Sequence, residues 1–138
     1  MPTFEFRRLL RANAVLKVSY KVSKALVVEG IAYSKNISST GINIIMPHAL
    51  EKGDRIEMHI HVFEKERPVL AKGKIVWQSS CAYVPTSKKK YYSTGIQFSY
   101  MSSEDAIKTS DFVRDVLQKQ SQERIKQIIE TLEKNQSS

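Results

Sequence analysis

The 138-residue sequence has one cysteine, Cys81, so no disulfide can form within the chain and nothing marks an oxidising compartment. Long apolar runs are missing too. No stretch reaches the roughly eighteen apolar residues of a membrane-spanning helix, and no membrane span is expected. The first residues, Met1-Pro2-Thr3-Phe4-Glu5-Phe6-Arg7, lack the apolar h-region of a signal peptide. A cytoplasmic protein is therefore the expectation. Acidic residues are in short supply: Asp and Glu number 14 against 22 Lys and Arg, for a formal net charge of +8. That balance favours anionic partners and leaves nucleic acid, anionic membrane and phosphorylated small molecules open. Catalytic patterns are absent as well. There is no defensible Ser/His/Asp ordering, no glycine-rich phosphate loop before a helix and no His-Glu-x-x-His, so an enzyme is not expected. No internal repeat occurs, and the only low-complexity segment is a lysine triplet.

The length suits one domain with one core. Residues 1–12 read as a flexible arm, with Phe4, Phe6, Leu9 and Leu10 set among Glu5, Arg7, Arg8 and Arg11 in no clean period. From Ala14 the pattern turns to period two. Leu16, Val18, Tyr20 and Val22 alternate with Lys17, Ser19 and Lys21, the mark of a strand with one wet face. Leu26 to Ser34 is a second strand, and Ile42 to Ile45 a third, after a turn over Asn36–Gly41. Ile56, Met58, Ile60 and Val62 alternate with Glu57, His59 and His61 in a fourth. Val69 to Gln78 is a fifth, with Ala71, Gly73, Ile75 and Trp77 on one face and Lys72, Lys74 and Gln78 on the other. A loop over Ser79–Ser93 leads to a sixth, Gly95 to Tyr100.

After Tyr100 the period becomes helical. Ser102 or Ser103 can cap, with Glu104 and Asp105 at the positive end of the helix dipole. Ile107, Phe112, Val113, Val116 and Leu117 form one apolar stripe. Gln118 to Arg124 interrupts it, and Ile125, Ile128, Ile129 and Leu132 form another. The second stripe is expected to fold back on the barrel or to pair with another chain, so self-association through the C-terminal helix is one expectation. The fold expected is mainly β: a small six-stranded antiparallel barrel, residues 13–117 with the first part of a helix, then a helical extension over residues 118–138.

Two motifs carry the candidate chemistry. Arg7-Arg8-Leu9-Leu10-Arg11 supplies planar, permanently charged forks suited to phosphates and to guanine O6/N7 edges. Asn36-Ile37-Ser38-Ser39-Thr40-Gly41 supplies short hydrogen-bonding groups and a glycine that admits close backbone and positive φ. Each has a bland reading, a solvated basic arm and an ordinary turn. Trp77 is read either as a base-stacking residue or as core. His59 and His61 share a strand face but lack a third metal ligand at suitable spacing, and no metal site is expected. Lys88-Lys89-Lys90-Tyr91-Tyr92 interleaves charge and aromatics as single-strand nucleic-acid binders do. A solvated loop is the preferred reading there, and nucleic acid is not the expected partner.

The order of these features resembles the PilZ domain family over about residues 5–117. Arg7 and Arg11 match the family's Arg-x-x-x-Arg, with Arg8 inside it. Asn36, Ser38 and Gly41 match Asp/Asn-x-Ser-x-x-Gly, and Gly95-Ile96-Gln97-Phe98 matches the late strand. The resemblance implies a split β-barrel that binds cyclic di-GMP through Arg7, Arg8, Arg11, Asn36, Ser38, Gly41 and Trp77, with no other cofactor. It implies a regulatory receptor whose arm orders on the ligand and signals to an unidentified downstream protein partner. Two alternatives stand beside it: a basic nucleic-acid-binding barrel, and a PilZ-like interaction scaffold without nucleotide. Phe6 occupies a position where many members carry another arginine, which leaves one or two ligands per chain open. Asn36 can donate as well as accept, where the more usual Asp only accepts.

Overall fold

A computed structural model describes residues 11–81 and 89–136. Arg7, Arg8 and Lys88 lie outside them. Among the described residues seven strands precede one helix: β1 (Ala12–Asn13), β2 (Lys17–Val22), β3 (Val28–Ile37), β4 (Gly41–Met46), β5 (Arg55–Ile60), β6 (Val69–Ser80), β7 (Tyr92–Met101) and α1 (Ser103–Gln136). Hydrogen bonding runs β3-β2-β5-β6-β7-β4, and β4 pairs back to β3. The pairings are antiparallel and close a six-stranded barrel, which removes free sheet edges.

The short β1 continues the line of β2. Ala12 faces Ile37 and Asn13 faces Asn36, beyond the point where β2 leaves β3 at Tyr33. Buried Ser34 spans the break. Its Oγ accepts from Leu16 N at 2.8 Å and donates to the Ala14 carbonyl, while its own N donates to Leu16 O at 2.9 Å. The backbone groups freed by the interrupted ladder are thereby satisfied. Ala12, read from sequence as the end of the arm, is fully buried and belongs to the core.

Period-two alternation places that core. Val18, Tyr20 and Val22, then Ile56, Met58 and Ile60, then Val69, Ala71 and Ile75 are buried. Lys17, Lys21, Glu57, His59, Lys72 and Lys74 face solvent. Outside, Glu29, Lys21, Glu57 and Lys72 stand opposite one another across four strands in alternating sign, which avoids like charges facing across the ladder. Tyr20 carries its hydroxyl to His48 Nδ1 at 2.5 Å.

Ser102 caps α1, its Oγ accepting from Asp105 N at 3.1 Å. Asp105 is only 2% exposed. Its Oδ2 accepts from Leu70 N at 3.1 Å, and its Oδ1 forms an ion pair with Arg67 Nη2 at 3.1 Å without a well-aligned hydrogen bond. Burial pushes this carboxyl pKa up, but the Leu70 N–H, the Arg67 guanidinium and the Ser102 hydroxyl together bring it below its ordinary value. Helix and barrel are thus joined at the start of β6.

Val113 is buried, and Phe112, Val116 and Leu117 pack partly against the barrel, while Ile107 is exposed. The helix does not break over Gln118–Arg124, because this polar segment has no Gly or Pro and consists mostly of good helix formers. Gln120 Oε1 accepts from Asn13 N at 2.6 Å. From Ser121 to Gln136 every residue is exposed, so Ile125, Ile128, Ile129 and Leu132 do not fold back on the barrel. With ~100° per residue, their stripe is turned by roughly 130° from the face of Thr109, Val113, Val116 and Leu117.

Candidate functional site

The Asn36–Gly41 segment is only partly a turn. Asn36 and Ile37 end β3, and Gly41 opens β4. A bulge between Ser34 and Asn36 shifts the register so that Asn36 stands opposite Asn43. Ser38 fastens the turn itself. Its Oγ accepts from Thr40 N at 3.2 Å and Gly41 N at 3.1 Å, and its N donates to Gly41 O at 2.9 Å. This is a serine doing backbone work, an ST-turn in which the hydroxyl replaces missing ladder bonds.

Gly41 is needed for a different reason from the one the sequence suggests. Its φ is not positive; among the described residues Gly53 is the glycine in that region, with φ 94°. The constraint comes from β7, since a Cβ at Gly41 would sit 2.5 Å from the Ile96 carbonyl oxygen.

Trp77 also departs from the simple alternation. Ala71 and Ile75 point inward, but a bulge between Ile75 and Trp77 adds Val76 and turns the indole outward. Trp77 is 39% exposed. Its ring lies over Gly95, where a Cβ would collide with indole Nε1, Cε2 and Cδ1. One face of the indole therefore rests on β7 and is not free, which leaves the other for a ligand.

Strand pairing gathers these residues into one row. Asn36 stands opposite Asn43, Asn43 opposite Gly95, and Gly95 opposite Trp77, across β3, β4, β7 and β6. Gly41 stands opposite Gln97 beside it. The row lines a recess of about 240 Å³ with Arg11, Ser38 and Thr40, and with Ile42, Val76 and Ile96 as its apolar part. Gly41 and Gly95 line the recess, Gly41 packed against the Ile96 carbonyl and Gly95 leaving the room that the Trp77 indole takes. Arg11 and the amides of Asn36 and Gln97 have no side-chain partner among the described residues. Unpaired donors beside an exposed indole suit a flat, anionic ligand with hydrogen-bonding edges.

The recess brings together Arg11, Asn36, Ser38, Gly41 and Trp77 from the sequence-predicted set. Arg7 and Arg8 fall outside the described residues. Lys89, Lys90, Tyr91 and Tyr92 do not line it. Asn43 and Gln97 were missed by sequence reasoning. Asn43 had a visible signal, a lone amide inside the apolar run Ile42–Ile45; Gln97 had none beyond lying within Gly-x-x-Phe. Among the described residues no cluster of three or more His, Cys, Asp or Glu is arranged to hold a metal, and no helix is long and apolar enough to cross a membrane.

The chain is a closed small barrel with an outward recess lined by polar groups and an indole. The family model of the PilZ domain matches residues 5–115, and the chain belongs to that family. No curated protein matches the sequence. Among solved structures the chain is similar to the Bacillus subtilis inhibitor of motility MotI/DgrA, with 19% identity and a TM-score of 0.60 over 83% of this chain and 51% of that one. It is similar to the PilZ domain of YcgR from Escherichia coli, solved with c-di-GMP, with 11% identity and a TM-score of 0.61 over 84% and 94%. It is similar to MrkH of K. pneumonia, with 10% identity and a TM-score of 0.64 over 82% and 50%. The chain spans about half the length of the MotI/DgrA and MrkH chains. At these identities the likeness establishes the fold, a PilZ-type barrel with a C-terminal helix.

Proposed function

We propose that this chain is a cyclic di-GMP receptor that relays ligand binding to a protein partner and is not an enzyme. The observation that carries the reading is the recess itself, which collects residues of both PilZ motifs with an outward-facing tryptophan. The YcgR PilZ domain solved with c-di-GMP supports it through a shared fold.

Chemistry divides the labour. The free face of Trp77 stacks on a guanine, and Asn36 bonds an edge of a base. Arg11 pairs with a phosphate or with guanine O6/N7. Ser38 and Gly41 shape the turn rather than grip the ligand. A recess of about 240 Å³ is smaller than the ~300–1,000 Å³ that encloses a drug-sized molecule. Much of a cyclic dinucleotide therefore stands proud of the barrel. Arg7 and Arg8 on the arm are the groups that cover it, and ordering of the arm on the ligand is the signal offered to a partner in the cytoplasm. The exposed stripe at Ile125, Ile128, Ile129 and Leu132 supports self-association as a further property of the helix.

Isothermal titration calorimetry with cyclic di-GMP tests the reading, with GTP and the Arg7→Ala/Arg11→Ala variant as controls. Saturable heat in the wild type, strongly reduced in the variant, supports it and gives the stoichiometry. A folded wild type that gives no heat sinks it.

A further inference from the structure

Every residue of α1 from Ser121 to Gln136 is exposed, and a free-standing helix of this length is marginal in water. Ile125, Ile128, Ile129 and Leu132 stand half exposed along one face of it. The charges beside this stripe carry more information than the stripe itself. At ~100° per residue, Lys126 and Glu133 fall on one side of it, and Arg124, Thr131 and Asn135 fall on the other. Arg124, Lys126 and Glu133 make no ion pair among the described residues. Residues 121–136 balance Arg124, Lys126 and Lys134 against Glu123, Glu130 and Glu133, so the +8 excess lies entirely in the rest of the chain. Nothing in this segment calls for a partner of opposite charge, and nothing in its net charge opposes a copy of itself.

Two helices can bury such stripes against each other in two ways, and the flanking charges distinguish them. In a parallel pair the two unlike sides meet. Lys126 then faces Arg124 of the other copy, about 3 Å apart along the axis, and like charges repel. In an antiparallel pair each side meets its own equivalent. The register that covers all four aliphatic residues sets Ile125 against Leu132 of the other copy and Ile128 against Ile129. It brings Lys126 level, within two residues, with Glu133 of the other copy, and does so twice by symmetry. It also holds the two basic barrels at opposite ends of the paired segment, where parallel pairing would set them side by side. We infer that residues 121–136 are a docking surface for the same segment of a second copy, laid antiparallel in this register. Four aliphatic side chains a side fall short of the ~1,200 Å² at which specific interfaces begin, so the pair is reversible and depends on concentration. The inference does not rest on the recess or its ligand.

Sedimentation velocity on the full chain over a concentration series reads the association, and circular dichroism establishes that each variant is folded. Lys126→Glu and Glu133→Lys should each weaken dimerisation roughly tenfold, since each turns two attractive pairs into repulsive ones. The double variant Lys126→Glu/Glu133→Lys should restore it, which a mere change in helix propensity would not do. Orientation is read by disulfide trapping in a Cys81→Ser background, which removes the native thiol. Chains with Ile125→Cys should cross-link to chains with Leu132→Cys when mixed, and neither should cross-link alone. Cross-linking of each variant by itself, with none added by mixing, means a parallel pair and overturns the inference. Failure of the double charge reversal to restore association overturns the register. Wild-type protein that stays monomeric across the series overturns the second copy as occupant, and leaves the stripe to a different protein or to a lipid surface.

Discussion

Replacing Gly95 by alanine should impair the ligand site far more than the fold. The added Cβ would enter the space now held by three atoms of the Trp77 indole, so the ring must lift off β7. Overpacking a well-filled core costs about 1–3 kcal/mol, but here the ring is 39% exposed and can swing toward solvent. The stability cost should fall at the low end, about 1 kcal/mol. The lifted indole no longer offers a flat face beside Asn43 and Gly41. Stacking of a base on an aromatic is worth about 1–3 kcal/mol, so affinity for cyclic di-GMP should fall roughly 5- to 150-fold. Trp77 is the only tryptophan in the chain, so intrinsic fluorescence reports on this ring and no other. Gly95→Ala should shift its emission in the absence of ligand, and calorimetry should show the weaker binding. Thermal melting supplies the stability term. Unchanged emission together with unchanged affinity would refute the reasoning, because it would mean that the indole neither rests on Gly95 nor meets the ligand.

Other consequences are checked as directly. Asp105→Ala should cost about 2 kcal/mol of stability in chemical denaturation, through loss of its bonds to Leu70 and Arg67, with little effect on ligand affinity at saturating fold. Because the Asp105 pKa is lowered in the folded chain, its contribution is present above the ordinary carboxylate value and is lost as pH falls through the lowered one; the variant should lose this part of the acid dependence, and an unchanged acid limb would contradict it. Ser38→Ala removes the acceptor for Thr40 and Gly41 N–H and should destabilise by about 1 kcal/mol, weakening the ligand only as the turn loosens; a large affinity loss at unchanged stability would instead make Ser38 a direct contact. Ile128→Glu/Ile129→Glu should abolish any concentration-dependent mass in sedimentation velocity while leaving thermal stability unchanged, since neither side chain is buried.

The barrel was legible because its strands are half wet. Val18, Tyr20 and Val22 against Lys17, Ser19 and Lys21 admit only one inward face, and the same holds for Ile56–Ile60. What the alternation does not encode is where it slips. The bulges before Asn36 and Trp77 each insert one residue, and in both places the side chain that follows serves the recess. Counting by twos places Trp77 with Ala71 and Ile75, on the wrong side of the sheet. Gly41 stands out in the sequence as a turn glycine, but the steric constraint on it lies in β7, more than fifty residues away in sequence, and no local rule reaches that far. Ser38 read as a ligand group because its motif is shared with a ligand-binding family; its bonds are to its own turn. The helix was seen as two stripes with a gap. Polar residues end a stripe, but only glycine, proline or an unmet backbone ends a helix.

The bond between Asn13 and Gln120 has a mechanical meaning. Gln120 is the last residue of α1 that is half-buried, and Asn13 is two residues from Arg11 in the recess wall. Beyond Gln120 the helix runs on for another sixteen residues, about 24 Å of rigid rod. Arg11 thus stands at the short end of a lever and Gln136 at the long end, with Gln120 as fulcrum. Over that length a tilt of ~10° at Gln120 would carry the far tip by ~4 Å.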